Sequence, residues 1–191
     1  SRLLPIPPPP LPVAERRETM NVFDILGPVM IGPSSSHTAG AARIGRITLA
    51  LLGAPAVKAD IFLHGSFAKT YKGHGTDKAL IAGIMGMSTD DSRIRRAPEL
   101  AREQGLAVTI TTGDIDGAHP NTARVALTDA DGNRVSLLGS SIGGGNILVT
   151  EVNGMEVSIT GQHTTLIVLH RDAPGTIAAV TEVMAEAGVN I

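Results

Sequence analysis

The chain has 191 residues, a formal net charge of −2, a hydrophobic fraction of 42% and a charged fraction of 18%. This length suffices for one domain and a small additional unit, the apolar stretches are too short to cross a bilayer, and the balanced charge offers no basic surface to nucleic acid. The absence of cysteine excludes disulfides, thiol catalysis and thiolate-bound metal centres held by this chain alone. We therefore expect small molecules or proteins as partners.

The N-terminal segment is rich in proline, with six of the 12 prolines in the first 12 residues. We predict that residues 1–19 form a disordered arm, because such a composition cannot bury a core. The arm has the features of neither a secretory signal nor a transit peptide, which predicts a cytoplasmic protein whose natural start is Met20.

Residues 20–161 combine helix and strand patterns and predict an α+β domain. Apolar residues recur at helical spacing in residues 39–52, and the serines before them can cap a helix, so His37 falls in its first turn. Residues 57–64 alternate between apolar and polar side chains and predict a strand. Residues 65–77 are predicted to connect this strand to a helix through residues 80–85, capped by Thr76 or Asp77.

The second half of the domain is predicted to consist mainly of hairpins. Asp131-Gly132 and Asn153-Gly154 are typical hairpin turns, and residues 140–145 are expected to separate the two hairpins. The predicted elements are, in chain order, a helix at 98–106, a strand around 108–110, a loop at 114–121, a hairpin of 123–127 and 134–138, and a hairpin of 146–152 and 155–160.

The last segment, residues 162–191, predicts a strand at 165–169, a turn at 170–175, an amphipathic helix with Ile177, Val180 and Met184, and the start of a second strand at 188. Such a βαβ unit needs further strands to cover its apolar face. We expect another chain or further sequence to complete it.

The serine-rich segment before the first helix is one candidate site. Backbone N–H groups and hydroxyls at a helix N-terminus suit a carboxylate or a phosphate, and the positive helix end would lower the pKa of His37. The alternative is that Ser36 simply caps the helix and that His37 is an ordinary surface histidine.

His74 is a second candidate, because the glycines on both sides of it would allow a ligand to approach the imidazole closely. The alternative is a glycine-rich turn with no chemical role. His64 and His119 are weaker candidates, and no histidine pair has the i, i+4 spacing of a helical zinc motif. The glycines at 143–145 precede a predicted strand, so they do not fit a dinucleotide-binding turn.

Four segments stand out by their order and spacing. They are Ile31-Gly32-Pro33-Ser34-Ser35-Ser36-His37-Thr38, Gly73-His74-Gly75-Thr76-Asp77, His119-Pro120-Asn121-Thr122 and Ser141-Ile142-Gly143-Gly144-Gly145. Together they resemble the β subunit of the iron–sulfur-dependent bacterial L-serine dehydratases. The tail, with residues 170–175 and 188–191, resembles the opening half of an ACT domain, a small amino-acid-sensing module.

The resemblance implies an α+β fold like the allosteric substrate-binding domain of some phosphoglycerate dehydrogenases, followed by a partial ACT-like βαβ unit. It also implies β-elimination of L-serine to pyruvate and ammonia. A separate α subunit would hold a [4Fe-4S] cluster whose open iron acts as a Lewis acid, and this chain would supply no metal ligand.

The same resemblance implies roles for individual residues. His74 is the leading candidate for the base that removes the α-proton, although other histidines stay open as alternatives. The ACT ligand loop would contain His170, Asp172, Gly175 and Asn190, and would either bind serine or pair β subunits. The residues implied in substrate binding are Ser34, Ser35, Ser36, His37, Thr38, Asn121, Ser141, Gly143 and Gly144.

Two other functions remain open from the sequence. The chain could be a non-catalytic regulatory module that senses serine through its β and ACT-like parts, in which case it would bind serine without a partner. It could also be a phosphate-binding enzyme that uses the serine-rich helix start, which a phosphate titration would test.

Overall fold

The computed structural model describes residues 34–163, 165–168 and 170–190. The predicted arm at 1–19 and the start of the predicted domain at 20–33 lie outside the described residues, as do Thr164, Leu169 and Ile191. In the part that is described, no helix has both the length and the apolar character needed to cross a bilayer.

The helical elements begin with a π-helical segment, Ser35–Gly40, which continues directly into α1. Ser34 caps this segment, because its hydroxyl accepts a hydrogen bond from the backbone N–H of His37 at 3.4 Å. Helix α1 ends at Gly53, which adopts a left-handed conformation with φ of 73°. The helices are α1 (Ala41–Leu52), α2 (Gly65–His74), α3 (Thr76–Ile84), a 3₁₀ helix (Ser92–Arg96), α4 (Ala97–Glu103) and α5 (Thr176–Glu186).

A six-stranded mixed sheet forms the other layer, with the strand order β2-β1-β3-β4-β5-β6. Strands β1 and β2 are parallel and are joined by a crossover through three α-helices and the 3₁₀ helix, whereas the remaining neighbours are antiparallel. The strands are β1 (Ala56–His64), β2 (Ala107–Gly113), β3 (Thr122–Asp129), β4 (Arg134–Gly143), β5 (Asn146–Val152) and β6 (Met155–Ile159). This architecture confirms the predicted α+β class.

The core lies between this sheet and helices α1 and α3. Helix α1 packs against α3 and against strands β3 and β4. The two helices cross at two glycines: a Cβ on Gly45 would lie 2.5 Å from the carbonyl oxygen of Leu80, and a Cβ on Gly83 would overlap the carbonyl of Ala42. The backbones therefore touch at this crossing, which fixes the helix layer.

The structure corrects three local predictions. Residues 65–74 form helix α2 and not an irregular connection, because Gly65 turns the chain sharply at the end of β1, with φ of 58°. Neither Thr76 nor Asp77 caps α3, since the position before it is Gly75 and no side chain bonds there. Residues 140–145 do not separate two hairpins, because β4 runs to Gly143 and pairs with β5.

The tail contains the predicted helix as α5, but the described residues 165–168, 189 and 190 form no strand. A strand requires a hydrogen-bonding neighbour, and the sheet of the first domain ends at β6. Several large apolar side chains of the tail are exposed: Leu166, Val168, Ile177, Val183 and Val189. The ACT-like unit and the domain boundary at residue 162 thus stay predictions.

The helix crossing leads to a test of stability. We expect Gly83→Ala to lower the free energy of unfolding by about 1–3 kcal/mol, because the new methyl group meets backbone atoms that cannot move independently. Urea titrations of the purified chain measure this change. Gly73→Ala is the matched control: Gly73 is also helical, a Cβ there would meet nothing within 4 Å, and we expect a gain of up to about 1 kcal/mol. Equal stability of the two variants would contradict the close crossing.

Candidate active site

His37 is the most enclosed titratable side chain of the predicted site, with only 8% of its surface exposed. Its Nδ1 atom lies 3.3 Å from the hydroxyl of Ser34 and 3.2 Å from that of Ser36. Its Nε2 atom lies 3.3 Å from the hydroxyl of Ser66, at the beginning of α2. Hydroxyls therefore face both ring nitrogens, and each hydroxyl can donate or accept according to the tautomer.

The imidazole of His74 stands against that of His37. The ring centroids are 4.8 Å apart with an interplanar angle of 87°, and Phe67 packs on His37 at 5.3 Å. His74 is the last residue of α2 and is exposed, and the left-handed Gly75 after it lets α3 begin at once. The site thus combines a buried histidine with an accessible one.

The segment around Pro120 approaches the same place from the sheet. The backbone N–H of Ser66 donates to the Pro120 carbonyl at 2.7 Å. A Cβ on Gly65 would lie 2.5 Å from that oxygen, so only glycine fits there. The Asn121 carbonyl in turn accepts from the N–H of Ser141 at 2.9 Å, which connects the segment to β4.

Four buried polar atoms near these elements have no hydrogen-bond partner among the described residues: Thr38 Oγ1, Thr76 Oγ1, Asp77 Oδ1 and Ser141 Oγ. The π-helical segment that carries Thr38 packs against α3, which carries Thr76 and Asp77, and against β4, which carries Ser141. The Ser141 hydroxyl occupies the space that a Cβ on Gly40 would need. Unpaired buried groups are costly, so they favour a function for this part of the fold.

The glycines at 143–145 form the tight turn between β4 and β5, and all three have positive φ angles. Arg43 of α1 holds this turn by donating to the Gly145 carbonyl at 3.0 Å and to the Gly161 carbonyl at 3.1 Å. Within the residues that the structure describes, the hydrogen bonds of His37 go to Ser34, Ser36 and Ser66 and not to Gly143 or Gly144. Their predicted role in substrate binding stays a prediction.

The structure brings together the serine-rich segment, His74 and, through Ser66, the segment before β3. His64 is not part of this group. Its Nδ1 atom accepts a hydrogen bond from the Ile115 N–H at 3.1 Å and lies near Asp114. The residues predicted for the ACT ligand loop (His170, Asp172, Gly175 and Asn190) all lie in the tail and are exposed. Over the described ranges, no group of three His, Asp or Glu side chains could hold a metal ion.

Sequence reasoning missed Ser66, Phe67 and Arg43. Ser66 and Phe67 lie in the segment that was predicted as a connection, where the apolar pattern of a helix is weak. Arg43 lies in an amphipathic helix, and the sequence pattern does not distinguish it from an arginine that faces solvent. The Gly65-Ser66 pair directly after a strand was the one signal that could have directed attention to this position.

Burial lowers the pKa of His37 from its ordinary value, and the neighbouring His74 lowers it further. In the unfolded chain the same imidazole titrates near its ordinary value of about 6.5. As the pH falls through this value, the imidazole binds a proton in the unfolded chain before it does so in the folded chain. The free energy of unfolding therefore decreases as the pH falls, until the pH is below the pKa of His37 in the folded chain.

This linkage predicts that the folded chain loses stability between about pH 7.5 and pH 5.5, and that His37→Gln loses less over the same range. Urea unfolding of both proteins at each pH measures the difference. His163→Gln is the control, because His163 is exposed, and it should behave like the parent chain. An equal loss in parent and His37→Gln would show that His37 is not the titrating group.

Comparison with known proteins identifies the family of the chain. The family model described as serine dehydratase beta chain matches residues 21–152. The chain is 48% identical to the probable L-serine dehydratase beta chain of Bacillus subtilis, over 90% of this chain and 77% of the relative. It is 38% identical to the L-serine dehydratase beta chain of Peptoniphilus asaccharolyticus, over 90% of this chain and 78% of the relative.

A shorter similarity connects the chain to a different enzyme, the D-3-phosphoglycerate dehydrogenase of Mycobacterium leprae, at 31% identity over 50% of this chain and 18% of the relative. The family match covers most of the chain and includes the four motif segments at 31–38, 73–77, 119–122 and 141–145. The chain therefore belongs to the serine dehydratase beta chain family.

Proposed function

We propose that this chain is the β subunit of an L-serine dehydratase, which converts L-serine to pyruvate and ammonia together with an α subunit. The observation that carries the proposal is the contact between buried His37 and exposed His74, in a chain of the beta-chain family. The pair offers an uncharged imidazole beside an accessible one, which suits removal of a proton from a bound substrate.

The reaction requires abstraction of the weakly acidic α-proton of serine. His74 takes this proton, the C–O bond at the β-carbon breaks, and the β-oxygen leaves as hydroxide, which is protonated to water. The resulting aminoacrylate tautomerises to an imine, and water hydrolyses the imine to pyruvate and ammonia. Because the pKa of His37 is lowered, His37 stays uncharged near neutral pH. It therefore places no full positive charge beside the imidazole that must accept the proton.

The serine-rich segment binds the substrate carboxylate in this proposal. Ser34, Ser35 and Ser36 lie at the start of the π-helical segment, where the positive end of the helix dipole favours an anion. Thr38 adds a buried hydroxyl that has no hydrogen-bond partner among the described residues. Asn121 and the backbone around Ser141, Gly143 and Gly144 complete the proposed wall of the site.

A [4Fe-4S] cluster belongs to the proposal as a group of the α subunit. The residues here fit a site that faces such a cluster but does not hold it, since the sequence has no cysteine and His74 is accessible from outside the chain. When bound in the partner, the cluster would supply a Lewis acid for the serine hydroxyl. The proposal also places the complex in the cytoplasm.

The tail has a separate proposed role, namely pairing of β subunits or sensing of serine through an ACT-like unit. Exposed apolar side chains on α5 favour pairing, because Ile177 is 75% exposed and Val183 is 64% exposed. Replacing both with Asp should lower self-association in sedimentation experiments. Unchanged self-association would remove α5 from this role.

Anaerobic co-expression with a cysteine-rich α subunit tests the main proposal. We expect the complex to form keto acid from L-serine, and the β chain alone to be inactive and colourless. Micromolar binding of serine by the lone chain, without any turnover in the complex, would instead favour a regulatory module.

The role of His74 is tested in the same complex. His74→Ala should reduce turnover at least about 10²-fold, because it removes the proposed proton acceptor. His163→Ala is the matched control, since it removes an exposed imidazole outside the site, and it should keep turnover within about twofold of the parent. Steady-state assays of pyruvate formation give both values. Near-normal turnover of His74→Ala would assign the base to another residue.

A further inference from the structure

Ser66 occupies a position that neither the motifs nor the proposed mechanism accounts for. Its hydroxyl lies 3.3 Å from Nε2 of His37, and no other hydrogen bond of this hydroxyl is found among the described residues. The partners of Nδ1, Ser34 and Ser36, come from the segment of His37 itself. Ser66 is thus the long-range partner of the buried imidazole.

The backbone fixes Ser66 on both sides. Its N–H donates to the Pro120 carbonyl at 2.7 Å, and the N–H of Phe67 donates to the same oxygen at 3.4 Å. Its own carbonyl accepts from the Thr70 hydroxyl at 2.7 Å. These hydrogen bonds fix the main chain of Ser66 relative to Pro120. The position of the Ser66 hydroxyl beside His37 is therefore fixed relative to Pro120 as well.

The hydroxyl contacts on the two ring nitrogens determine the orientation of the His37 ring. With partners on Nδ1 and on Nε2, a rotated ring would lose at least one hydrogen bond, and an unpaired buried nitrogen costs about 1–3 kcal/mol. The ring orientation in turn sets the edge-on contact with His74 at 87°. Ser66 therefore affects the contact with His74 indirectly, because it helps to set the orientation of the His37 ring.

We propose that Ser66 is a positioning residue of the dehydratase site: it holds the imidazole of His37 in the orientation that supports His74, and it ties this orientation to the segment of Pro120. This inference rests on the proposed function, because it assigns His74 the proton transfer. The part that concerns His37 alone can be measured without any catalysis.

The kinetic test uses the reconstituted complex and compares Ser66→Thr with Ser66→Val. The two new side chains have nearly the same shape, but only threonine keeps the hydroxyl. We expect Ser66→Val and Ser66→Ala to lower kcat by between about 10-fold and 10²-fold with KM within about twofold, because a poorly oriented base is slow even with substrate bound. Ser66→Thr should restore kcat to within about threefold of the parent. The control Ser92→Ala removes an exposed hydroxyl from the 3₁₀ helix and should change neither constant.

The second test follows the ¹⁵N resonances of the His37 ring in the full chain during a pH titration. Imidazolium needs an acceptor at both nitrogens, and a buried unpaired N–H⁺ is disfavoured more than a neutral one. Loss of the hydroxyl in Ser66→Val should therefore move the midpoint of His37 to lower pH and shift the Nε2 resonance. Ser66→Thr and Ser92→Ala should leave both unchanged.

The two tests separate the two ideas. If the parent complex does not dehydrate serine, the proposed function fails, while the titration still measures the contact of Ser66 with His37. If Ser66→Thr and Ser66→Val have the same kcat, or if the His37 midpoint and Nε2 resonance are the same in both, the positioning role of Ser66 is overturned.

Discussion

Close approaches at three glycines are the constraint on which the candidate site depends. Gly40 leaves room for the Ser141 hydroxyl, Gly83 allows α3 to touch α1, and Gly65 allows α2 to begin against Pro120. Each contact excludes a Cβ, and each joins a segment of the site to the helix layer or to the sheet. The two histidines meet because these elements approach more closely than side chains would permit.

Burial then gives the two histidines different properties although their rings touch. His37 has lost most of its contact with water and is held by hydroxyls, so its uncharged form is favoured. His74 stays exposed at the end of α2. A neutral neighbour places no positive charge beside His74, whereas two protonated imidazoles in contact would repel each other. Under the proposed function, this difference in environment suits the pair to acid–base chemistry.

The sequence predicted the parts of the fold that have strong periodicity. Strand β1, helix α1 and the turns at Gly132 and Gly154 follow from alternation, helical spacing and turn residues. Helix α2 was missed because it contains two glycines and has only one fully buried residue, Phe67; its formation depends on the contact with Pro120, which is distant in sequence. For the same reason the motifs predicted His37 and His74 as candidates, but their contact and the role of Ser66 required the tertiary structure.

The exposure of His74 suggests how the catalytic site is shared between this chain and the proposed α subunit. A base that removes an α-proton functions best in a place from which water is excluded, yet His74 is exposed in this chain. The fold itself offers no lid over it, in the residues described, because α2 ends at His74 and α3 turns inward to pack on α1. A partner surface that covers His74 would exclude water and would bring its own metal chemistry to the substrate in one step. Under the proposed function, docking of the α subunit is thus part of forming the site, since the buried half, His37 with its hydroxyls, is already in place in the β chain.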